Sequence, residues 1–319
     1  MLRSEEDWIW DCWPADDGVD FHLFFLCAPR TLSWDERHFQ ARVGHAVSAD
    51  LTNWTRLPDA VLPGSGDYDS RAVWTGSVIR DGSVWRMIRT GLRRDEGLVQ
   101  RIGSDLSEDL ITWRADTDPA WPLSADPQWY EQSASDEHWR DPWVLRDADG
   151  LGHLYLTARV PGDGPGRGVI AHATSTDLVN WEVGPPLSQP GRFEQVEVIQ
   201  LARIDDRWAL IFCCLGPELA PPAPGEGGIW SVEIDGPGAP VDLDRATRLT
   251  DESLYAGRLV RDRAGDWQLL AFVNRSEPTE FGGWIADPLP VQWGETGLVL
   301  SREPFHYGSS GTYLPVKEN

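Results

Sequence analysis

Residues Asp81–Thr90 read DGSVWRMIRT, a tight-turn signal running straight into a strand-like segment. The chain uses that arrangement five times: DGVDFHLFFL from Asp17, DGSVWRMIRT from Asp81, DGLGHLYLTA from Asp149, DDRWALIFCC from Asp205 and AGDWQLLAFV from Ala264. Taking Gly18, Gly82, Gly150, Asp206 and Gly265 as markers, the intervals are 64, 68, 56 and 59 residues, so five units of roughly sixty residues fill the 319-residue chain. That unit is longer than the ~40–45 residues of the commonest propeller repeat and than a solenoid unit of about 20–50 residues. Short alternating runs bounded by Gly, Pro, Asn and Asp recur throughout, and no segment carries a helical period with caps. The expected fold is therefore all-β: a single five-bladed β-propeller over residues 1–319, with four antiparallel strands per blade around a central channel.

A second repeat fits this frame. Ser-x-Asp-Leu-x-x-Trp occurs as SADLTNWT from Ser48, SEDLITWR from Ser107 and STDLVNWE from Ser175. Each copy is expected after the third strand of a blade, with Ser and Asp bonding the backbone of a turn and Trp packing between blades. This motif is architecture and not chemistry.

Composition excludes several functions. A net charge of −23, with Lys and Arg scattered, repels a phosphate backbone and disfavours nucleic acid. The start, MLRSEEDWIWDCW, turns acidic too early for a secretory leader, and no stretch is apolar for the length of a membrane span, so the expectation is a soluble, cytoplasmic chain without a membrane partner. Cys12, Cys27, Cys213 and Cys214 lack zinc-type spacing and are expected as buried free thiols, the adjacent pair pointing to opposite faces of one strand. The His residues lack ligand spacing and there is no Gly-rich phosphate loop, so no cofactor or metal is implied. Eighteen Trp residues suit both a core and a wall for stacking sugar rings.

In a propeller the functional groups lie where the innermost strands enter the channel. Those strands are expected in WIWDCWPAD (residues 8–16), AVWTGSVIRD (72–81), HWRDPWVLRD (138–147), VEVIQLARID (196–205) and LYAGRLVRD (254–262). Three carry an early carboxylate, Asp11, Asp141 and Glu197, which lie 7, 9 and 9 residues before their turn markers. Buried carboxylates cost desolvation energy, and two held close push their pKa values apart, which supplies an acid and a base. One protonated and one ionised carboxyl flanking a bond is the apparatus of glycoside hydrolysis. Any one of the three could instead cap a strand or pair with an arginine such as Arg140.

At these residues the chain resembles the five-bladed glycosidases of families 32, 68 and 43, and family 32 most closely. GHAVSADLTNWTRLPDAVL (residues 44–62) is similar to that family's Gly-His-Ala-x-Ser-x-Asp-Leu-x-x-Trp-x-x-Leu-Pro segment, DYDSRAVWTGS (67–77) to its Ser-Gly-Ser strand, and RDP (140–142) to its Arg-Asp-Pro motif. FEQVEVIQL (193–201) looks like the segment carrying the acid/base Glu. The resemblance implies a retaining β-fructofuranosidase acting on a small carbohydrate, with Asp11 as nucleophile, Glu197 as acid/base and Asp141 as transition-state stabiliser oriented by Arg140. Trp10, Trp74, Trp139 and Tyr255 are candidate pocket walls, and Ser77 a polar one. The chain departs from the family where Asp11 lacks an Asn-Asp-Pro-Asn setting, where Glu197-Val198-Ile199 replaces Glu-Cys-Pro, and where Leu26 replaces a Gln. It ends soon after the fifth unit, so no C-terminal β-sandwich is expected. An inverting furanosidase, or a sugar-binding propeller without catalysis, are the alternatives.

Overall fold

The computed structural model describes residues 1–221, 225–277, 280–301, 306–307 and 313–314. Twenty of its described strands form five antiparallel four-stranded sheets in chain order, and the other four pair as two short ribbons. Blade one is β1 (Asp7–Asp16), β2 (Phe21–Pro29), β3 (Arg42–Ser48) and β4 (Thr55–Val61). Blade two is β5 (Ala72–Asp81), β6 (Val84–Leu92), β7 (Gln100–Ser107) and β8 (Arg114–Ala115). Blade three is β9 (Trp139–Arg146), β10 (Gly152–Arg159), β11 (Gly168–Ser175) and β12 (Glu182–Val183). Blade four is β13 (Glu197–Ile204), β14 (Arg207–Cys214), β15 (Gly228–Ile234) and β16 (Thr247–Arg248). In blade five, β17 (Leu254–Arg261) and β18 (Trp267–Val273) are followed by a short ribbon, β19 (Arg275–Glu277) with β20 (Glu280–Phe281), before β21 (Leu289–Trp293) and β22 (Leu298–Leu300) complete the sheet. Each inner strand touches the next, and β17 returns to β1, closing the ring. Leu2 bridges to Ile285 and ties the chain start to blade five.

The turn markers fall between first and second strands because those connections need a left-handed residue. Gly18, Gly82, Gly150 and Gly265 have φ of +92°, +60°, +88° and +94°, a region a side chain rarely enters. Blade four has no glycine there, and Asp205 takes the left-handed position at +56°. The apolar faces of successive sheets pack on one another, with Trp13, Phe21, Phe24 and Phe25 among the fully buried side chains. All four cysteines are free and buried, and Cys213 and Cys214 enter different core clusters, as strand alternation requires.

The Ser-x-Asp-Leu-x-x-Trp copies link third to fourth strands in blades one, two and three. Asp177 Oδ1 accepts the N–H groups of Val179 (2.9 Å) and Asn180 (2.8 Å), and Ser175 donates to the same carboxylate at 2.9 Å. Leu51, Leu110 and Leu178 sit at φ near +60° with buried side chains, held by these Asp-centred turns. Trp113 packs edge-on against Phe24 of blade one, with ring centres 5.5 Å apart, so this copy does pack between blades. Trp181 touches Gly152 of its own blade and packs against a core cluster shared by blades two and three.

Hydrogen bonds from Asn180 and neighbouring backbone hold the Asp177 carboxyl well below its usual range. A group with a depressed folded pKa stabilises above its unfolded pKa and loses that contribution as pH falls. Because this carboxylate is exposed and screened by solvent, Asp177→Ala is expected to lower stability by only about 0.5–1 kcal/mol at pH 7. Urea melts should show the difference closing as the pH falls below about 4.

Candidate active site

Every inner strand is interrupted at the same place. In each, two residues oppose one on the second strand: the register slips between Trp10 and Cys12, Val73 and Gly76, Arg140 and Trp143, Glu197 and Gln200, and Tyr255 and Arg258. The first residue of four of these bulges is left-handed although none is glycine: Asp11 (φ +28°), Asp141 (+57°), Val198 (+52°) and Ala256 (+50°). Such a bulge re-aims side chains and stores strain that the surroundings must hold. Here it turns one layer of side chains (Asp11, Trp74, Asp141) and the layer before it (Trp10, Arg140, Glu197, Tyr255) into a shared cavity of about 460 Å³. Helix α1 (Trp34–His38), inserted between β2 and β3, adds Arg37 and His38 to the rim, and Trp74 Nε1 donates to the His38 carbonyl at 2.7 Å.

The three predicted carboxylates meet here, each with its own brace. Asp11 Oδ2 accepts the Thr75 hydroxyl at 2.5 Å. Asp141 Oδ2 accepts Thr157 Oγ1 at 3.1 Å and the Val198 N–H at 3.4 Å. Glu197 is held on both oxygens, by Arg140 Nη2 at 2.5 Å and by the Tyr255 hydroxyl at 2.6 Å. Arg140 is nearer to Glu197 than to Asp141, whose carboxylate lies 3.5 Å from Nε, so it braces the acid/base candidate more than its sequence neighbour. Its other amino group donates to His138 Nδ1 at 2.9 Å.

Burial and mutual repulsion dominate the electrostatics. Burial first, and then the Asp141 charge, push the Asp11 carboxyl up to about 7, against the Thr75 hydroxyl that favours its ionised form. Burial likewise raises Asp141, with Arg140 opposing. A fourth carboxylate, Glu218, lines the same cavity and is pushed up to about 8 by burial and by Glu197. It accepts Gln195 Nε2 at 2.6 Å, and Gln195 in turn accepts from Arg140. Burial and Arg140 push His138 down to about 3, which leaves its imidazole neutral.

Two sequence candidates lie elsewhere. Trp139 is one residue before Arg140, so strand alternation turns it away from the cavity; it is fully buried against Tyr130, with Nε1 donating to the Leu123 carbonyl at 3.3 Å. Ser77 lies deeper in β5, fully buried, where its hydroxyl accepts the Val144 N–H at 3.1 Å and joins blades two and three. Sequence spacing also set Glu197 level with Asp141, whereas the bulges align Asp141 with Asp11 and with Val198, one residue later. Thr75, Gln195 and Glu218 escaped the sequence reading because nothing local marks a polar residue as facing the channel. The doubled mismatch in β5, Trp74-Thr75, is visible only once the partner strand is in register.

Comparison with known proteins adds the lineage. The model of the glycosyl hydrolases family 32 N-terminal domain matches residues 15–284. The chain belongs to glycosyl hydrolase family 32. A rice (Oryza sativa subsp. indica) β-fructofuranosidase, insoluble isoenzyme 7, is 30% identical over 167 residues, covering 51% of this chain and 26% of the rice protein. The extracellular sucrase of Zymomonas mobilis is 26% identical over 234 residues, covering 58% of this chain and 56% of the sucrase. The chain thus spans between about a quarter and about half of these curated relatives. In fold, the chain is similar to a Bombyx mori family 32 β-fructofuranosidase, with a TM-score of 0.75 at 18% identity over 94% of this chain and 64% of that one. The family 32 match contains Asp141 and Glu197; Asp11 precedes it and joins the cluster through the β1 bulge.

The cluster also trades stability for its charge. An acid whose folded pKa lies above its unfolded value binds more protons folded than unfolded, so its contribution is lost as pH rises toward the folded pKa, here from about 4 to about 7. Asp11→Asn is expected to raise Tm at pH 8, with the gain shrinking toward pH 5. Calorimetry across that range checks it.

Proposed function

We propose that the protein hydrolyses terminal β-fructofuranosides with retention of configuration. The observation that carries this reading is the convergence of Asp11, Asp141 and Glu197, from three different blades, on one cavity. In the first step the ionised Asp11 attacks the anomeric carbon as the bond to the leaving oxygen breaks, and Glu197 gives that oxygen its proton. In the second, Glu197 takes a proton from water, the water oxygen attacks the anomeric carbon, and the ester bond to Asp11 breaks. Asp141 accepts hydrogen bonds from ring hydroxyls as positive charge develops on the sugar. Tyr255 and Arg140 hold Glu197 through both proton transfers, and Trp10 and Trp74 wall the ring. The similarity to a β-fructofuranosidase and a sucrase supports a fructoside as substrate.

A second reading, an inverting furanosidase in which Asp11 activates water, is favoured by the burial of Asp11, because a carboxyl near 7 suits a general base. Early-time NMR of the sugar released from aryl furanosides and short fructans separates the two: the retained anomer first supports attack by Asp11, and the inverted anomer overturns it.

Removing Glu197 withdraws help to the leaving group. Glu197→Gln is expected to slow substrates with poor leaving groups by ~10²–10⁴-fold and activated aryl fructosides less. Asp141→Asn should slow both alike. Glu194, whose carboxylate accepts the Gly166 N–H and does not line the cavity, serves as control.

The acidic limb of kcat/KM should fall near pH 7, because Asp11 must be ionised to attack. Thr75→Val removes a donor that favours the carboxylate, so the limb should move to higher pH. A limb unmoved by that substitution would assign it to another group.

A further inference from the structure

We propose that Arg258 is a positioning residue for this reaction: a buried cation on β17 that grips the bulge behind Glu197 and sets a fixed positive charge beside Asp11 and Asp141. The inference rests on the reading of Asp11 as nucleophile and Glu197 as acid/base.

Three observations meet on this side chain. Arg258 is fully buried and is not part of the cavity wall, so it does not touch substrate. Its Nη1 donates to both carbonyls of the β13 bulge, Val198 O at 3.0 Å and Ile199 O at 2.8 Å. Val198 is the most strained of the bulge residues, because a β-branched side chain at φ +52° is a rare conformation. Its N–H is spent on Asp141 at 3.4 Å, so one peptide segment is held from blade three by Asp141 and from blade five by Arg258. Gln200 adds a clasp beyond the bulge, bonding the Leu259 N–H at 2.6 Å and its carbonyl at 2.8 Å. Glu197 immediately precedes this segment, and its direction depends on the bulge staying put.

The charge matters separately from the grip. Among the described residues Arg258 has no carboxylate ion pair; its guanidinium lies over the Trp143 ring at 5.0 Å, and Nε and Nη2 make no hydrogen bond. Arg140, by contrast, is engaged by Glu197. The groups facing Asp11 are Asp141 from β9, Glu197 from β13, Arg258 from β17, Arg37 from α1, the Thr75 hydroxyl from β5, and the Cys12 thiol on its own strand. Both like charges oppose ionisation of Asp11; the Thr75 hydroxyl and, more weakly, the Arg258 cation favour it. In a low-dielectric site a fixed charge of this kind acts without reorganising during the reaction.

Arg258→Lys and Arg258→Met separate the two roles. The lysine keeps the charge but lacks the planar fork that spans two carbonyls. It is expected to lower kcat, toward the ~10²-fold loss that a small misplacement of a catalytic group causes, with KM and the acidic limb of kcat/KM unchanged. The methionine loses both functions, so kcat should fall and the acidic limb should also move to higher pH. A limb unmoved in Arg258→Met, or a full kcat in Arg258→Lys, overturns the inference. If the methionine variant does not fold, Arg258→Gln, which is also uncharged, replaces it in the same assay. Acid-quenched peptide mass spectrometry of the wild type during turnover keeps the two readings apart. A glycosyl adduct on Asp11 with an unmoved limb sinks only the role of Arg258, whereas an adduct on another residue sinks the nucleophile assignment itself.

Discussion

The structure depends on a bulge repeated in all five inner strands. A regular strand entering a propeller channel alternates its side chains between the two blade interfaces, and the apolar cores on both sides would exclude a carboxylate from either. Inserting one residue turns two consecutive positions toward the axis instead. The aromatic, acidic and basic groups of the site occupy these positions: Trp10 and Asp11, Arg140 and Asp141, Glu197, and Tyr255. The left-handed conformations at Asp11, Asp141, Val198 and Ala256 are the strain this arrangement carries.

Holding that strain requires contacts across blades. Thr75 of blade two bonds Asp11 of blade one, Val198 of blade four bonds Asp141 of blade three, and Tyr255 of blade five bonds Glu197 of blade four. Closure of the ring therefore builds the site: a propeller opened between blades one and two, three and four, or four and five would leave a catalytic candidate without its brace. The same closure removes water, which raises Asp11, Asp141 and Glu218 together. One desolvated basin thus holds more acidic than basic groups.

Much of this was legible beforehand. The five turn signals predicted the inner strands to within about a residue at each end, because turn residues and alternating apolar runs are local properties. The Ser-x-Asp-Leu-x-x-Trp copies were read as turns and are turns, since an Asx hydrogen bond needs only its own neighbours. Trp139 and Ser77 were read as lining the channel and do not line the cavity: Trp139 precedes the β9 bulge and alternates away from Arg140, and Ser77 lies past the β5 bulge, deeper in the strand.

By itself the sequence determined the number of blades, the strand that is innermost in each, and three carboxylates that meet in one cavity, because these follow from spacing along the chain and from residue chemistry. The tertiary structure alone decided which side chains share the cavity, that Arg140 leans on Glu197, that Glu218 joins the basin, and that Arg258 grips the strand behind it. Those are relations between residues tens to hundreds of positions apart. They are set by register slips of one residue that leave no mark in composition or period.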